Sequence, residues 1–236
     1  MGRCCVISRI IEVFSSIQGE GELIGKRQIF IRFAGCNINC KYCDTQESLS
    51  DVVGDEYSYD MLNDKIESLM STDFHSLEIT GGEPLLSYEY IGEFLRKYPY
   101  KAMLETNATL PENMRKISDV IDLVSMDIKL PEHFSCEDEW KSVYANELKT
   151  IDVLEEENVN YYIKIVVSPT TPLDIIRKVR DDIKMHVKCD VNIIIQPVSP
   201  MSLWTSKDNL FRISELMGVE FNVSIIPQIH KYLDVE

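Results

Sequence analysis

The sequence predicts an α/β fold, a partial (β/α) barrel of about six or seven parallel strands, in a single domain over residues 1–236. Short apolar or alternating segments recur along the chain, and stretches of helical spacing separate them. Polar residues follow most of these segments where each predicted strand ends. A complete eightfold barrel usually takes about 250 residues. The chain of 236 residues therefore favours a partial barrel.

Seven segments are typical of buried or half-buried strands, because they are apolar or alternate with a period of two. They are QIFIRFAG (28–35), LEIT (77–80), KAMLET (101–106), DLVSMDI (122–128), YYIKIVV (161–167), NIIIQP (192–197) and FNVSIIP (221–227). Parallel strands need crossover connections, so helices are expected between them.

The intervening segments show helical spacing. Leu62, Ile66 and Leu69 share one helix face, and Ser58 or Asp60 would cap that helix. Further helices are predicted over 88–97, 138–157, 172–187 and 206–217. Strand and helix then alternate along the chain, as a barrel of β/α units requires.

The charge of the chain restricts its partners. It carries 39 acidic and 24 basic residues, a net charge of −15, which would repel nucleic acid and anionic membranes. No apolar run approaches the ~20 residues of a membrane helix, and the first residues lack the pattern of a signal peptide. We therefore expect a cytoplasmic protein that binds neither nucleic acid nor membrane.

The polar residues that follow the predicted strands are expected at one edge of the sheet. They are Cys36, the TGGEP segment, the ETN segment, the stretch 125–129, the SP pair after IVV, and QPVSP. The carboxyl ends of parallel strands meet at the mouth of a barrel, where such folds keep their active sites. The sequence therefore predicts a single active site at that mouth.

Three of the seven cysteines, Cys36, Cys40 and Cys43, lie within eight residues. An iron–sulfur cubane held by three thiolates leaves one iron open to a substrate or cofactor. A structural zinc site would need a fourth ligand, for which the candidates are Cys4, Cys5, Cys136 and Cys189. Unrelated buried cysteines are the third interpretation. The spacing favours the three-thiolate cluster.

The spacing CNINCKYC, with Tyr42 before the last cysteine, resembles the radical S-adenosylmethionine superfamily. ITGGEPLL (79–86) strengthens this resemblance, because superfamily members carry a similar segment after the second strand. The resemblance implies a 4Fe–4S cluster whose open iron binds S-adenosylmethionine. One electron from the cluster would then cleave that cofactor to a 5′-deoxyadenosyl radical.

The segment EVFSSIQGEGELIGKRQIFIRFAGCNINCKYCDT is similar over its length to 7-carboxy-7-deazaguanine synthases. The similarity continues in EITGGEPLL, ETNATLP, VSMDIKLP, IIIQPVSP and IPQIHKYL. It implies conversion of 6-carboxy-5,6,7,8-tetrahydropterin to 7-carboxy-7-deazaguanine with loss of ammonia, in deazapurine (queuosine or archaeosine) biosynthesis. Mg²⁺, a homodimer, and an electron donor such as flavodoxin or ferredoxin are implied as well.

The resemblance also assigns roles to individual residues. The implied pterin-binding residues are Ile17, Gln18, Gly19, Glu20, Arg32, Thr80, His230 and Glu236, with Arg32 on the carboxylate. Contacts to S-adenosylmethionine are implied for Tyr42, Cys43, Asp44, Gly82, Glu83, Ser125, Met126, Asp127, Gln196, Pro197, Val198 and Ser199. Thr45 is the implied magnesium ligand; from the residues alone it is a helix cap.

Two residues depart from the family pattern, and two alternative functions share some of these sequence features. Ala108 occupies a position where the family commonly has glycine, and the terminal Glu236 leaves open whether a carboxylate reaches the substrate. A glycyl-radical enzyme activase would share the cysteine motif but act on a protein backbone. The other rival is a non-catalytic metal-binding module, which has no need of converging polar residues.

Overall fold

The computed structural model describes residues 7–43 and 45–235, so the predictions for Cys4, Cys5, Asp44 and Glu236 lie outside the described residues. Strands in this part of the chain form one sheet in the order β3-β1-β2-β4-β5-β6-β7-β8-β9. Their bounds are Ser8–Ile17 (β1), Arg27–Phe33 (β2), Asp55–Tyr57 (β3), Phe74–Gly81 (β4), Ala102–Thr106 (β5), Leu123–Ile128 (β6), Tyr161–Val167 (β7), Asn192–Pro197 (β8) and Asn222–Ile225 (β9). Strands β2 and β4 to β9 are parallel, which confirms the predicted sheet of six or seven parallel strands.

The first and third strands are antiparallel and are absent from the sequence-based prediction. Strand β1 pairs with β2 on one side and with β3 on the other. The register between β1 and β2 shifts between Ile10 and Glu12, and such a bulge interrupts the period-two alternation. Strand β3 is only three residues long. A search for alternating segments therefore misses both.

Helices connect the parallel strands. They are Tyr59–Leu69 (α1), Tyr88–Lys97 (α2), Pro111–Ile117 (α3), Glu137–Glu156 (α4), Leu173–His186 (α5), Asp208–Met217 (α6) and His230–Leu233 (α7). Ser58, and not Asp60, caps α1, because its side chain accepts a hydrogen bond from the Met61 amide. The two helices absent from the prediction, α3 and α7, are too short to show a helical period. Among the described residues, no helix is long and apolar enough to span a membrane.

Alternation along β7 shows how the sheet separates core from cavity. Ile163 and Ile165 belong to the large apolar core, whereas Lys164 and Val166 line a cavity on the inner face. Lower on the inner face, a small apolar cluster contains Met103, Tyr162 and Ile194. The sheet thus presents apolar side chains to the helices and mostly polar ones to the cavity.

Two contacts show that the sheet curls into a partial barrel. The Lys164 ammonium on β7 lies 2.8 Å from the Glu20 carboxylate just after β1, although β2, β4, β5 and β6 separate these strands in the sheet. The Ile229 amide, after β9, donates to the Gly19 carbonyl oxygen, after β1 (2.9 Å). The two ends of the sheet therefore meet at the mouth of the barrel without pairing as strands there.

Candidate functional site

A cavity of about 540 Å³ lies at the carboxyl ends of the parallel strands. Its lining comes from β2, β4, β5, β6, β7 and β8 or from the loops that follow them, together with β1, the segment after β1 and the segment after β9. The polar residues that follow the strands in the sequence therefore share one site. This is the edge at which (β/α) folds place their active sites.

The three clustered cysteines line one part of this cavity. Their loop is compact, since the Cys43 amide donates to the Cys40 carbonyl oxygen (3.1 Å). The Cys36 sulfur accepts a hydrogen bond from the Asn107 side chain (3.8 Å). Burial raises the pKa of Cys40 to about 11 and also raises the pKa of Cys36. Without a bound metal, these two groups are therefore thiols at neutral pH.

The arrangement of the three thiols fits a cluster better than a single ion. Both Cys36 and Cys43 contribute to raising the pKa of Cys40, so the three thiols lie close together. Yet in residues 7–43 and 45–235 no group of three or more His, Cys, Asp or Glu side chains is placed to hold one metal ion. A cubane needs no common centre, because each thiolate binds a different iron. Cys136 and Cys189 are exposed and lie outside the cavity lining.

Two glycines allow β4 to approach the loop after β2 that carries the three cysteines (residues 34–43), hereafter the cysteine loop. Gly81 has a φ of +137°, and a Cβ there would lie 2.2 Å from the Phe33 carbonyl oxygen. A Cβ on Gly82 would lie 2.2 Å from the Gly35 carbonyl oxygen. Both glycines also line the cavity, and the atoms nearest to each are backbone atoms. The glycine pair thus allows the end of β4 to pack against the cysteine loop.

Every predicted pterin-binding residue in the described ranges lines the cavity; these are Ile17, Gln18, Gly19, Glu20, Arg32, Thr80 and His230. The Gln18 side chain donates to Gln28 (2.9 Å) and accepts from the Glu20 amide (2.9 Å), which fixes the turn after β1. A Cβ on Gly19 would lie 2.1 Å from the His230 ring, so these two residues are in direct contact. The C-terminal segment therefore forms part of the cavity wall beside Gly19.

Arg32 and Thr45 lie in the same cavity. The Arg32 Nε donates to the Glu12 carboxylate (2.6 Å), so the guanidinium is held on the wall formed by β1 and β2. Thr45 precedes a short 3₁₀ turn over Gln46–Leu49, and the Ser48 amide closes that turn on the Thr45 carbonyl oxygen (3.0 Å). The backbone of Thr45, rather than a side-chain cap, therefore begins the turn.

Most predicted cofactor contacts also line the cavity; these are Tyr42, Cys43, Gly82, Asp127, Gln196, Pro197, Val198 and Ser199. Ser125, Met126 and Glu83 do not. Met126 packs in the apolar core, and Ser125 is fully buried within the sheet. Alternation along β6 turns the Met126 side chain toward the helices, and the cofactor contacts of these three residues stay predictions.

Glu83 connects β4 to β5. Its carboxylate accepts hydrogen bonds from the Leu85 amide (2.9 Å), the Thr106 hydroxyl (2.7 Å) and the Asn107 amide (2.7 Å). It is fully buried, and burial raises its pKa to about 7. Glu83 therefore organises the loop that carries Asn107, and its contact with S-adenosylmethionine stays a prediction.

The loop after β5 carries the residue that departs from the family pattern. Ala108 has a φ of +58° and is fully buried. This left-handed conformation costs a non-glycine residue roughly 1–2 kcal/mol. The Thr150 hydroxyl donates to the Ala108 carbonyl oxygen (2.7 Å), which helps to hold the conformation. Alanine therefore adopts the backbone geometry that favours glycine at this position.

A buried charged cluster in the cavity wall contains two residues that the sequence reasoning missed, Lys164 and Glu105. The Lys164 ammonium contacts the carboxylates of Glu20 (2.8 Å), Glu105 and Asp127 (3.4 Å). Burial disfavours its charged form, but the three carboxylates raise the pKa of Lys164 well above its ordinary value. A lysine in the otherwise apolar strand YYIKIVV was the available signal, because a buried lysine is rare unless it is paired.

A second lysine supports the wall beside the cysteine loop. The Lys129 ammonium donates to Asp127 (2.6 Å) and to the Tyr42 hydroxyl (2.9 Å). The His133 ring packs edge-on against Tyr42, and its Nδ1 accepts from the Leu130 amide (3.0 Å). Burial, with a contribution from Lys129, lowers the pKa of His133 to about 3. This histidine is therefore neutral in the folded protein.

Comparison with known sequences identifies close relatives. Residues 17–142 match the family described as "4Fe-4S single cluster domain". The chain is 42% identical over 237 residues to the 7-carboxy-7-deazaguanine synthase of Methanothermobacter thermautotrophicus, covering 95% of this chain and 96% of that protein. It is 35% identical over 246 residues to the protein of the same name from Methanocaldococcus jannaschii, covering 95% and 98%.

Solved structures share the fold. The structure of QueE from Escherichia coli superposes with a TM-score of 0.59 at 20% identity, covering 93% of each chain. A domain of a pyruvate-formate lyase-activating enzyme from Bacteroides vulgatus superposes with a TM-score of 0.51 at 17% identity, covering 64% of this chain and 98% of that domain. At these identities the structures establish the fold, and the sequence relatives distinguish among the functions built on it.

Proposed function

The chain belongs to the family of 7-carboxy-7-deazaguanine synthases, which are radical S-adenosylmethionine enzymes, and we propose that it converts 6-carboxy-5,6,7,8-tetrahydropterin to 7-carboxy-7-deazaguanine with loss of ammonia. One observation carries the proposal. The three clustered cysteines and the residues suited to a compact anionic substrate line the same cavity. A binding module without a reaction has no need of such a cavity.

Cys36, Cys40 and Cys43 would hold the 4Fe–4S cluster. Together with bound S-adenosylmethionine, that cluster would supply the one-electron chemistry that removes a hydrogen atom from the substrate. The stretch Gln196–Ser199, together with Gly82 and Asp127, lines the part of the cavity proposed for the cofactor. Lys129 and Lys164 both contact Asp127, so this acidic side chain is held in a fixed position.

The remaining residues would bind and orient the pterin. Arg32 presents a guanidinium, which suits the substrate carboxylate. Glu20 is held by Lys164 (2.8 Å) and by the Gln228 amide group (2.7 Å), so it offers acceptors in a fixed place to a heterocycle that bears N–H groups. Restricting the substrate in this way lowers the entropic cost of reaching the reactive geometry.

Thr45 is the proposed magnesium ligand, supported by its place in the cavity beside the cysteine loop. Mg²⁺ requires near-octahedral oxygen ligation and commonly keeps several waters. Substrate oxygens and waters would therefore complete a shell to which this chain contributes one hydroxyl. A homodimer, a flavodoxin or ferredoxin electron donor, a role in queuosine or archaeosine biosynthesis, and a cytosolic location remain predictions.

The alternative of a glycyl-radical enzyme activase shares the fold, as the Bacteroides vulgatus domain illustrates. Such an enzyme must admit a protein backbone. The cavity here is lined by Gln18, Glu20 and Arg32, and the C-terminal segment contributes His230 to the same lining. A compact polar molecule fits this lining better than a polypeptide does.

The proposal is tested by anaerobic reconstitution with iron and sulfide, followed by incubation with S-adenosylmethionine, a reductant and the carboxypterin. The expected product is 7-carboxy-7-deazaguanine with an equal amount of ammonia. Cys36→Ser should lose the cluster absorbance, whereas Cys189→Ser, at an exposed cysteine, should keep it. One zinc without sulfide, or no turnover of the carboxypterin by protein with an intact cluster, would refute the proposal.

A further inference from the structure

The inner face of the barrel contains a carboxyl group that the proposed function does not use. Glu78 on β4 is fully buried. Among the described residues, no hydrogen-bond donor reaches either of its carboxyl oxygens. An ionised carboxylate in such a place would carry a desolvation cost of several kcal/mol. The arrangement therefore requires a neutral, proton-bearing Glu78.

The partner for that proton is Glu105 on the neighbouring strand. In the parallel register Glu78 lies beside Met103, and Glu105 is two residues further along the same face. Glu105 lines the cavity, and its carboxylate contacts the Lys164 ammonium. Two carboxyl groups form a hydrogen bond only when one of them carries a proton. Glu78 can therefore donate to Glu105.

The surroundings assign the proton to Glu78. Burial and the adjacent Glu105 raise the pKa of Glu78 well above its ordinary value, while Lys164 offsets part of the effect. The other charged or titratable groups facing this pair are Glu20, which raises the pKa of Glu78 further, and Tyr162, whose own pKa is raised by burial. The Lys164 ammonium contacts the Glu105 carboxylate, so its positive charge lies on the Glu105 side of the pair.

We propose that Glu105 is a catalytic acid–base residue for the loss of ammonia, and that Glu78 is a positioning residue that shares its proton with Glu105. This inference rests on the proposed function. Glu105 is on the cavity wall, where a bound substrate would touch it, whereas Glu78 is buried behind it and acts only through Glu105. A pair with one proton and one free carboxylate oxygen can give and accept a proton in the same site.

The step balances with this pair alone. Loss of ammonia breaks a carbon–nitrogen bond, and the bonding electrons leave with nitrogen. The neighbouring carbon gives up a proton, and its electron pair forms the new carbon–carbon π bond. Glu105 takes that proton, while the proton held between Glu78 and Glu105 passes to the departing amino group. The pair ends with one proton, as it began, and no oxidant is consumed.

The test compares Glu78→Gln, Glu105→Gln and Glu105→Asp with Glu147→Gln as a matched control. Glu147 is another fully buried glutamate with a raised pKa, but it accepts hydrogen bonds from the Lys129 amide outside the cavity lining. Three quantities are measured: carboxypterin affinity of the cluster-free protein, deuterium transfer from C6-deuterated substrate to the cofactor, and the rate of ammonia release by the reconstituted enzyme.

Both glutamine variants at the pair should bind the substrate and transfer deuterium as the wild type does, yet release ammonia about 10²- to 10⁴-fold more slowly. Glu105→Asp should recover part of the rate, and Glu147→Gln should keep all of it. Ammonia release within a few-fold of wild type in both glutamine variants would overturn the proposal. So would a parallel loss of substrate affinity and ammonia release, which indicates a structural role.

Infrared spectroscopy of the cluster-free protein supplies a readout that does not depend on turnover. A protonated-carboxyl band should be present in the wild type and in Glu147→Gln, and Glu78→Gln should lose one component of it. An unchanged band in Glu78→Gln would overturn the assignment of the proton. A wild type that shows this band but makes no deazapurine would instead overturn the proposed function. The two failures are therefore distinguishable.

Discussion

Gly82→Ala tests whether the glycine pair at the end of β4 is needed for close backbone packing or for binding the cofactor. A Cβ at Gly82 would lie 2.2 Å from the Gly35 carbonyl oxygen and 2.5 Å from the Ser48 carbonyl oxygen, where real Cβ atoms stay beyond 3.0 Å. Both obstacles are backbone atoms, so a side-chain rotation cannot relieve them. The cysteine loop and β4 must then move apart by roughly 1 Å.

The expected cost follows from two contributions. Overpacking of this kind costs typically about 1–3 kcal/mol. Separation of β4 from the loop also weakens the hydrogen bond from the Glu83 amide to the Gly35 carbonyl oxygen (2.8 Å). A hydrogen bond contributes about 0.5–1.5 kcal/mol. Gly82→Ala should therefore lower the free energy of unfolding by about 2–4 kcal/mol.

Gly25→Ala is the matched control, because a Cβ there would meet nothing within 4 Å. Its φ of +83° leaves only backbone strain, roughly 1–2 kcal/mol. The lower conformational entropy of the unfolded alanine variant offsets about 0.4–1 kcal/mol of that strain. The assay is urea unfolding of the cluster-free proteins, with the midpoints compared at equal m-values. If Gly82→Ala were as stable as Gly25→Ala but had lost S-adenosylmethionine affinity, the glycine would serve the cofactor and the steric reasoning would be refuted.

Three further predictions concern binding, magnesium and pH. Arg32→Ala should weaken carboxypterin binding about 30-fold or more while Arg27→Ala on the same strand does not; equal effects would contradict a carboxylate contact. Thr45→Ala should raise the half-saturating Mg²⁺ concentration in turnover assays about tenfold, and an unaltered Mg²⁺ dependence would exclude it as a ligand. Because unfolded histidine gains a proton below about pH 6.5 and folded His133 does not, lowering the pH from 7 to 5 should cost about 2 kcal/mol of stability. His133→Gln should lack that loss, and identical pH dependences in urea unfolding would refute the assignment.

The parallel strands were predictable because their signal is local. In NIIIQP and YYIKIVV, apolar residues occupy consecutive positions, as strands buried on both faces require. Strand β1 lacked such a signal, since its bulge between Ile10 and Glu12 breaks the alternation. The edge strand β3 was too short to give one.

The residues of the candidate site were predictable where they belong to a short sequence motif. They were much less predictable where side chains far apart in the sequence come into contact. The cysteine spacing and QPVS led to residues that line the cavity. Lys164 acquires its importance from Glu20, Glu105 and Asp127, which lie on three other elements. Sequence spacing does not reveal such neighbours. For Glu83 the motif identified a residue of the site. Only the structure shows that its carboxylate accepts hydrogen bonds from Thr106 and Asn107 and so holds the loop after β5.

The meeting of the two sheet ends has a consequence for how the protein responds to its substrate. The Ile229–Gly19 backbone hydrogen bond, the Gln228–Glu20 side-chain hydrogen bond and the packing of His230 on Gly19 join these ends at the mouth. A molecule that touches residues on both sides acts as a removable cross-link between the first and last elements of the fold. Its binding energy resists their separation. Amide hydrogen exchange at Ile229 should then slow when the carboxypterin binds, far along the chain from Arg32.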